Sequence, residues 1–161
     1  MKKPVMALVE RGGNAVAFPI GTPTAATLKG SVRKLVDKSS TIMTDEHNCY
    51  RGLDKDFDGG HHTTTHSKGE YVRYEQCGAV IVSTNTVESF FSRIKRPFVG
   101  THHHLSVKHL GRYVDEAVFR WNSRRSADGV RMVAAIRGAE GKRLMYRQSV
   151  NGSVDALMQA K

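Results

Sequence analysis

Cysteine and long apolar stretches are scarce in this sequence, and each scarcity excludes a class of protein. The two cysteines, Cys49 and Cys77, are too few for a disulfide framework and do not have the close pairing of a zinc site. No apolar run approaches the roughly 20 residues of a transmembrane helix. The apolar run at 5–9 follows Pro4 and ends at Glu10, which makes it a poor signal peptide. The sequence therefore predicts a cytoplasmic protein with no membrane span.

Basic residues, in contrast, are in excess. Lysine and arginine total 25 against 15 acidic residues, which gives a formal net charge of +10 and a pI near 9.9. The surplus is spread along the chain, with dense stretches at 93–96 and 120–125, either of which alone is also typical of a solvated face. The net excess favours a polyanionic partner, with nucleic acid ahead of an acidic membrane surface. The chain has 161 residues, 39% of them hydrophobic, which is enough for the core of one domain.

Two periodicities divide the chain into strands and helices. Short β-rich runs bounded by glycine, proline or polar residues predict strands, and apolar residues at i, i+3, i+4 and i+7 predict helices. Their order predicts an α/β domain whose helices pack on a small mixed sheet. The predicted elements are a hairpin of strands at 5–10 and 14–20, a helix at 25–37, a buried strand at 39–44 ending at Asp45, helical turns at 48–53, a loop at 54–69, short strands at 71–73 and 79–82 around a turn at Gly78, helices at 84–96, 106–122 and 127–136, and a final strand or extended tail at 142–147.

Three details of these elements matter for function. The loop at 54–69 begins with aspartates spaced as in a calcium loop, but Thr65 stands where that loop requires a glutamate, which excludes calcium. Pro97 is expected to end the helix that starts at Thr84, because proline cannot donate a helical hydrogen bond. The helix at 106–122 carries an apolar stripe from Val107 to Trp121, and Trp121 is expected to anchor the core.

Polar residues share the face of the helix at 84–96 that is opposite its phenylalanines. Asn85, Glu88 and Lys95 fall at i, i+3 and i+10, and Asn85 with Glu88 also has the spacing of a capping box. Asp45 ends a predicted strand, where open α/β sheets commonly place their sites, although it could also cap the next helical turn. Two carboxylates and a lysine suit metal-assisted phosphoryl transfer, because Mg²⁺ prefers carboxylate oxygens and lysine binds phosphate. Structural capping and metal binding both remain open on this pattern.

Several strings in the sequence match one family in order. TDEHNCYRGL, then HSKGEYVR, then TNTVESFFSRIKRPFVGTHHHLSVKHLGRYVDEAVFRWNSR resemble the catalytic core of bacterial insertion-sequence transposases of the DDE class, in the branch with the ISXO2-like transposase domain. The resemblance extends from about Lys3 to Tyr146. It implies a ribonuclease H-like mixed sheet flanked by helices, Mg²⁺ or Mn²⁺ as cofactor, and DNA strand cleavage and strand transfer during recombination. The implied partners are terminal-repeat DNA, target DNA and a second copy in a synaptic complex, and the implied location is the bacterial nucleoid.

The resemblance also implies roles for individual residues. Asp45 and Glu88 become metal ligands, and Lys95 becomes the lysine that contacts DNA seven residues after Glu88. Asn85 is an alternate for the third catalytic position, because some members of this branch carry asparagine there. The residues expected to contact DNA are Lys95, Arg96, His103, Arg120 and Arg124.

One departure from the family pattern leads to a further expectation. The pattern has an aspartate on a first strand, upstream of the strand that resembles KKPVMALVER, and Met1 stands almost at the start of that second strand. The expectation is a truncated or remnant transposase whose first strand is missing, or a chain whose true start lies upstream, with an incomplete catalytic domain at 1–150 and a tail at 151–161. A non-catalytic DNA-binding remnant is the alternative function.

Histidines form the remaining motif. Residues 102–104 are consecutive histidines, whose side chains point in different directions, so a role in DNA binding or site architecture is expected rather than a zinc site. His66 lies in the HSKGEYV string and is expected either to approach the active site or to anchor its loop.

Overall fold

The computed structural model describes residues 3–75, 80–102 and 106–142. The strands are β1 Val5–Val9, β2 Ala15–Pro19, β3 Ile42–Asp45, β4 His61–Thr64, β5 Val72–Glu75 and β6 Val80–Ser83. The helices are α1 Ala25–Leu35, α2 Asn85–Gly100, α3 Leu110–Asn122 and α4 Asp128–Ala139, with short 3₁₀ turns at Asn48–Tyr50, Leu53–Lys55, His66–Lys68 and Val107–His109.

The β1–β2 hairpin separates two hydrophobic cores. Its strands are antiparallel, and alternation along β2 places Ala15 and Ala17 on one face, where both are almost fully buried. These small side chains allow helix α3 to lie close against the strand. Phe90 from α2 and Trp121 from α3 complete this first core as an edge-to-face pair with ring centroids 5.4 Å apart. The stripe predicted for α2 and the anchoring role predicted for Trp121 are therefore confirmed.

The opposite face of the hairpin supports the second core. Phe18 and Met6 lie on this face and pack with Leu28 and Val32 of α1. Leu53, which is fully buried in the turn after β3, joins the same cluster. The predicted amphipathic helix and hairpin are thus both present, and each face of the hairpin buries apolar side chains.

The four remaining strands bring the candidate site together. Strands β3 and β4 pair in parallel, and β5 and β6 pair antiparallel, so the described strands form three two-stranded sheets. Arg11, from the hairpin turn, donates to the carbonyl oxygens of Ile81 at 2.6 Å and Ser83 at 3.3 Å, which ties the hairpin to β6. The architecture is a mixed α/β domain with small sheets and several helices, in agreement with the predicted class.

Two strand predictions need correction. The segment 54–69, predicted as a loop, contains β4, whose sequence His-His-Thr-Thr has no apolar alternation and becomes a strand by pairing with β3. Strand β3 was predicted to be buried, but its residues are only half-buried and Asp45 at its end is exposed. Both errors arise because a two-stranded sheet at the surface needs few apolar side chains.

Two helix predictions were also wrong. Helix α2 continues through Pro97 to Gly100, and helical hydrogen bonding resumes after the proline, since the N–H of Thr101 donates to the Pro97 carbonyl at 3.0 Å. Val107 lies in the 3₁₀ turn before α3 and is 51% exposed, so it does not belong to the apolar stripe of that helix.

Some predictions fall on residues outside the described ranges. These are the turn at Gly78, most of the final strand at 142–147, and the tail at 151–161. Among the helices that the structure does describe, none is long and apolar enough to cross a membrane.

Candidate functional site

The parallel pair β3–β4 presents two polar residues at the same edge of its sheet. The register places Asp45 opposite Thr64, at the carboxyl ends of both strands. Asp45 is exposed, and its Oδ1 accepts from the N–H of His47 at 3.2 Å, which holds the turn that follows the strand. Thr64 is fully buried, and its hydroxyl donates to the carbonyl of Thr44 at 3.4 Å. An acid at the end of β3 therefore lies opposite a buried threonine on the neighbouring strand.

Helix α2 begins beside this edge, at a buried threonine. Thr84 is 5% exposed and occupies the position before the first helical residue. Its hydroxyl lies 3.5 Å from the Thr64 hydroxyl and 2.8 Å from Oε1 of Glu88, one helical turn later. A carboxylate in the first turn also interacts favourably with the positive end of the helix dipole. The start of α2 thus places Glu88 at the edge of the β3–β4 sheet.

His66 completes a polar cluster with these side chains. Its Nε2 lies 2.8 Å from the Thr84 hydroxyl, 3.3 Å from Oε1 of Glu88 and 3.3 Å from the Thr64 hydroxyl. The cluster Thr64–His66–Thr84–Glu88 therefore links β4, the turn after it and α2. His66 therefore contacts Glu88 directly, and whether Glu88 belongs to an active site stays a prediction.

The proton positions in this cluster follow from counting donors. The single hydroxyl proton of Thr84 is donated to Glu88, since an ionised carboxylate can only accept. The same hydroxyl oxygen must then accept from His66, which requires a proton on Nε2 of the imidazole ring. The carboxylate of Glu88 is consequently held in one orientation, although its side chain is 52% exposed.

Asn85 and Glu88 do not form the capping box that their spacing predicts. Thr84, not Asn85, precedes the helix, and the N–H of Asn85 donates to the hydroxyl of Ser83 at 3.1 Å. The side chain of Glu88 binds the Thr84 hydroxyl rather than a backbone N–H. Asn85 is exposed in the first helical position, next to the cluster. Capping therefore does not account for Glu88.

The basic residues expected to contact DNA have different surroundings. Lys95 and Arg96 are exposed on α2 beyond Glu88, and His103 lies outside the described residues. Arg120 pairs with Glu116 at 2.8 Å on the surface of α3. Arg124 donates to the carbonyl oxygens of Trp121 and Gly13, and its guanidinium lies 4.6 Å from the centre of the Trp121 ring.

The charge of Asp45 influences a neighbouring phenol. Burial raises the pKa of Tyr50 above 10.0, and the negative charge of Asp45 raises it further. Tyr50 ends the 3₁₀ turn that follows β3, so its hydroxyl stays protonated near the strand end. On the same sheet, burial lowers the pKa of His61 below 6.5, and its Nε2 lies 2.8 Å from the Thr44 hydroxyl.

The donor chemistry of the site suits a hard divalent cation. Asp45 and Glu88 offer exposed carboxylate oxygens, and Mg²⁺ is commonly held by one or two carboxylates together with water and substrate phosphates. In the described ranges, no three histidine, cysteine, aspartate or glutamate side chains are close enough to bind one ion. The described residues therefore form no closed protein cage for a metal ion, and the two exposed carboxylates are of the ligand type that a hydrated magnesium ion uses.

Sequence reasoning did not single out the two buried threonines of the cluster. Thr64 lies in a polar segment that was predicted to be a loop, so its burial had no signal in the sequence. The role of Thr84 did have a signal in the sequence, because this residue directly precedes a helix predicted from its apolar periodicity. A threonine at that position commonly interacts with the first helical turn.

The net charge of +10 is typical of proteins that bind nucleic acid. Comparison with known families is more specific. The family model of the ISXO2-like transposase domain matches residues 1–122, which is most of the chain. The chain belongs to this family of DDE transposases, as its motifs suggested, and DNA is the partner that membership implies. Searches of curated proteins and of solved structures each gave no match.

Proposed function

We propose that this chain carries out metal-dependent DNA strand cleavage and strand transfer for an insertion sequence, with Asp45 and Glu88 as the carboxylates that bind Mg²⁺ or Mn²⁺. The observation that supports the proposal most is the contact of Glu88, at the start of α2, with His66 and Thr84 beside the strand edge that carries Asp45. This contact supports a site in which an acid from a strand end and an acid from a helix start share one exposed edge. We further propose that the domain is related to the ribonuclease H-like fold.

Each residue of the proposed site has a distinct task. Asp45 and Glu88 supply oxygen ligands, and a bound divalent ion would stabilise negative charge on the phosphate that is attacked. His66 and Thr84 keep Glu88 in one orientation through the contacts described above. Lys95, exposed two helical turns beyond Glu88 and on the same side of α2, would hold a DNA phosphate next to the ion. Fixing the ion and the phosphate in this way would lower the entropy cost of reaching the transition state.

Asn85 is the competing candidate for the third catalytic position. It is exposed one turn before Glu88, and its amide oxygen is also a hard donor. Glu88 is the better candidate, because a carboxylate carries the charge that an amide lacks and because its orientation is fixed by two neighbours. Mn²⁺ affinity and DNA cleavage measured in Asn85→Ala and in Glu88→Gln decide between them, because the variant with the greater loss identifies the ligand.

The second candidate function is DNA binding without catalysis. A specific observation favours it, namely that the described residues bring no third metal-binding side chain to Asp45 and Glu88. Binding would then depend on the net charge of +10 alone. Such binding weakens steeply with salt and does not respond to divalent ions.

Metal titration and DNA cleavage together test the proposal. Calorimetric titration of Mn²⁺ into wild type, Asp45→Asn and Glu88→Gln should show affinity at least about tenfold weaker in both variants. Cleavage of DNA that carries the element ends should require Mg²⁺ and should fall in parallel. Glu140→Gln is the matched control, since Glu140 is exposed at the end of α4 and outside the site, and it should behave as wild type.

Two outcomes count against catalysis at this site. Cleavage that persists in Asp45→Asn would remove Asp45 from the mechanism. Equal Mn²⁺ affinity in wild type and both variants, with salt-sensitive and metal-independent gel shifts, would establish the non-catalytic alternative.

A further inference from the structure

A groove separates the second half of α2 from α3 on the surface of the first core. Its volume is about 360 Å³, at the small end of the range for ligand sites. Apolar side chains from both helices, Ile94 and Ala117, form part of its lining, while Arg93, Arg96 and Arg120 supply positive charge. The groove therefore combines an apolar interior with a cationic rim.

Aromatic side chains stand at one end of the groove. Tyr113 and His102 both line it, with ring centroids 4.8 Å apart and planes tilted by 54°. Tyr113 is half-buried, because part of it packs against the first core while the rest faces the groove. A planar ligand that entered the groove would meet a ring already held by this packing, so little side-chain entropy would be lost.

The charge of the groove is positive but not uniform. Arg96 is exposed and forms no ion pair with another residue in the described ranges. The guanidinium of Arg93 lies 5.5 Å from the centre of the Trp121 ring. Arg120 is partly neutralised by Glu116, whose carboxylate also lines the groove and could accept from the amino group of a base. Phosphates thus fit at the Arg93–Arg96 side and a base fits on the side of α3.

We propose that this groove binds single-stranded DNA, with one unpaired base against Tyr113 and the adjoining phosphates at Arg93 and Arg96. Proteins that bind single strands combine a positive groove with aromatic rings on which bases stack. A base within a duplex is stacked on its neighbours and offers no free face to Tyr113, so the geometry favours a single strand over a duplex. The inference rests on the proposed action on DNA and adds the form of DNA that this surface recognises.

The position of the groove relates it to the proposed active site. Arg96 follows Glu88 by eight residues on the same helix, which corresponds to about 12 Å along the axis. One strand of a duplex rises 3.4 Å per nucleotide, so the distance spans at most about three or four nucleotides, and fewer in an extended single strand. Lys95 lies between the two and would contact the connecting phosphate. A strand cut at Glu88 would therefore place a nucleotide near its end in the groove.

Fluorescence anisotropy in the presence of EDTA tests the groove without any metal chemistry. The probes are a labelled single strand about 15 nucleotides long and the duplex of the same sequence. Tyr113→Leu should weaken single-strand binding about 5- to 150-fold, the range for loss of one stacked base, and leave duplex binding unchanged. Tyr113→Phe keeps the ring and should bind as wild type. Equal single-strand affinity in wild type and Tyr113→Leu, or an equal loss for single strand and duplex, would overturn the proposal.

A second variant keeps the test decisive if Tyr113→Leu does not fold. Arg96→Gln, at an exposed position, should reduce the slope of log affinity against log salt by about 0.7 for the single strand. Lys34→Gln removes the same charge from the exposed surface of α1 and should leave the slope unchanged. Identical slopes in wild type and Arg96→Gln would contradict the proposal. Because no arm uses a divalent ion, failure of the groove and failure of the Asp45–Glu88 site are distinguishable.

Discussion

Replacing Thr84 by valine removes the hydroxyl that joins His66 to Glu88 and keeps the volume of the side chain. Thr84 is 5% exposed, and its hydroxyl makes two contacts of 2.8 Å, one of them to a carboxylate. A net contribution of about 0.5–1.5 kcal/mol is typical of a neutral hydrogen bond, and about 1.5–3 kcal/mol of one to a charged group. Because the Glu88 side chain is 52% exposed, water will replace the lost donor there. We therefore expect Thr84→Val to cost about 1–2 kcal/mol in the free energy of unfolding.

A double-mutant cycle assigns this cost to the contact with Glu88. Urea unfolding of wild type, Thr84→Val, Glu88→Ala and the double variant gives the interaction energy, expected at about 0.5–1.5 kcal/mol. The control pair is Thr84→Val with Ser92→Ala. Ser92 is exposed on α2 about 12 Å from Thr84 along the helix, so the two changes should be additive. An interaction energy of zero between Thr84 and Glu88 would refute the reasoning that this hydroxyl orients the carboxylate.

Three further outcomes are expected. Asn122→Ala should lower the free energy of unfolding by about 2–3 kcal/mol, because the Asn122 side chain accepts from the N–H of Ala15 at 2.7 Å and donates to its carbonyl at 3.0 Å. A loss below about 0.5 kcal/mol in urea unfolding would contradict this. Burial lowers the pKa of His61 below 6.5, so the folded state binds fewer protons than the unfolded state. Stability should therefore fall as the pH drops below about 6.5. Urea midpoints measured across this range should lose the pH dependence in His61→Gln. Asp45→Asn should lower the pKa of Tyr50 and leave it above 10.0, because burial is the larger cause, and tyrosinate absorbance during alkaline titration measures it.

Helices were predictable from the sequence where an apolar stripe faces a core. Phe90 and Ile94 of α2 are buried at the positions that their spacing indicated, and Trp121 closes the same core from α3. An apolar stripe predicts which side chains of a helix are buried, because the stripe follows from local periodicity and needs only one apolar surface to pack against. The extent of α2 was less predictable, since the consequence of Pro97 depends on the packing on either side of it.

The positions of the two acids in the fold were predictable, and the contacts around Glu88 were not. Asp45 and Glu88 lie at a strand end and a helix start, as their positions along the chain indicated. Thr64 and β4 were missed, because a polar strand that forms by pairing with β3 leaves no periodic signal. The capping box was wrong for a related reason, since His66 competes for the same carboxylate from a distant part of the chain. Contacts made across the fold are decided by tertiary structure, which single-sequence patterns do not contain.

The hydrogen bonds between Asn122 and Ala15 join two parts of the chain that are synthesised at different times. The two residues are separated by 107 positions, so the hairpin leaves the ribosome long before the helix that covers its alanine face. At about 5–20 residues per second, that interval lasts about 5–20 s. During this time the face of β2 that carries Ala15 and Ala17 is not yet covered by α3. Among the described elements that build the first core, α3 is therefore the last to be synthesised.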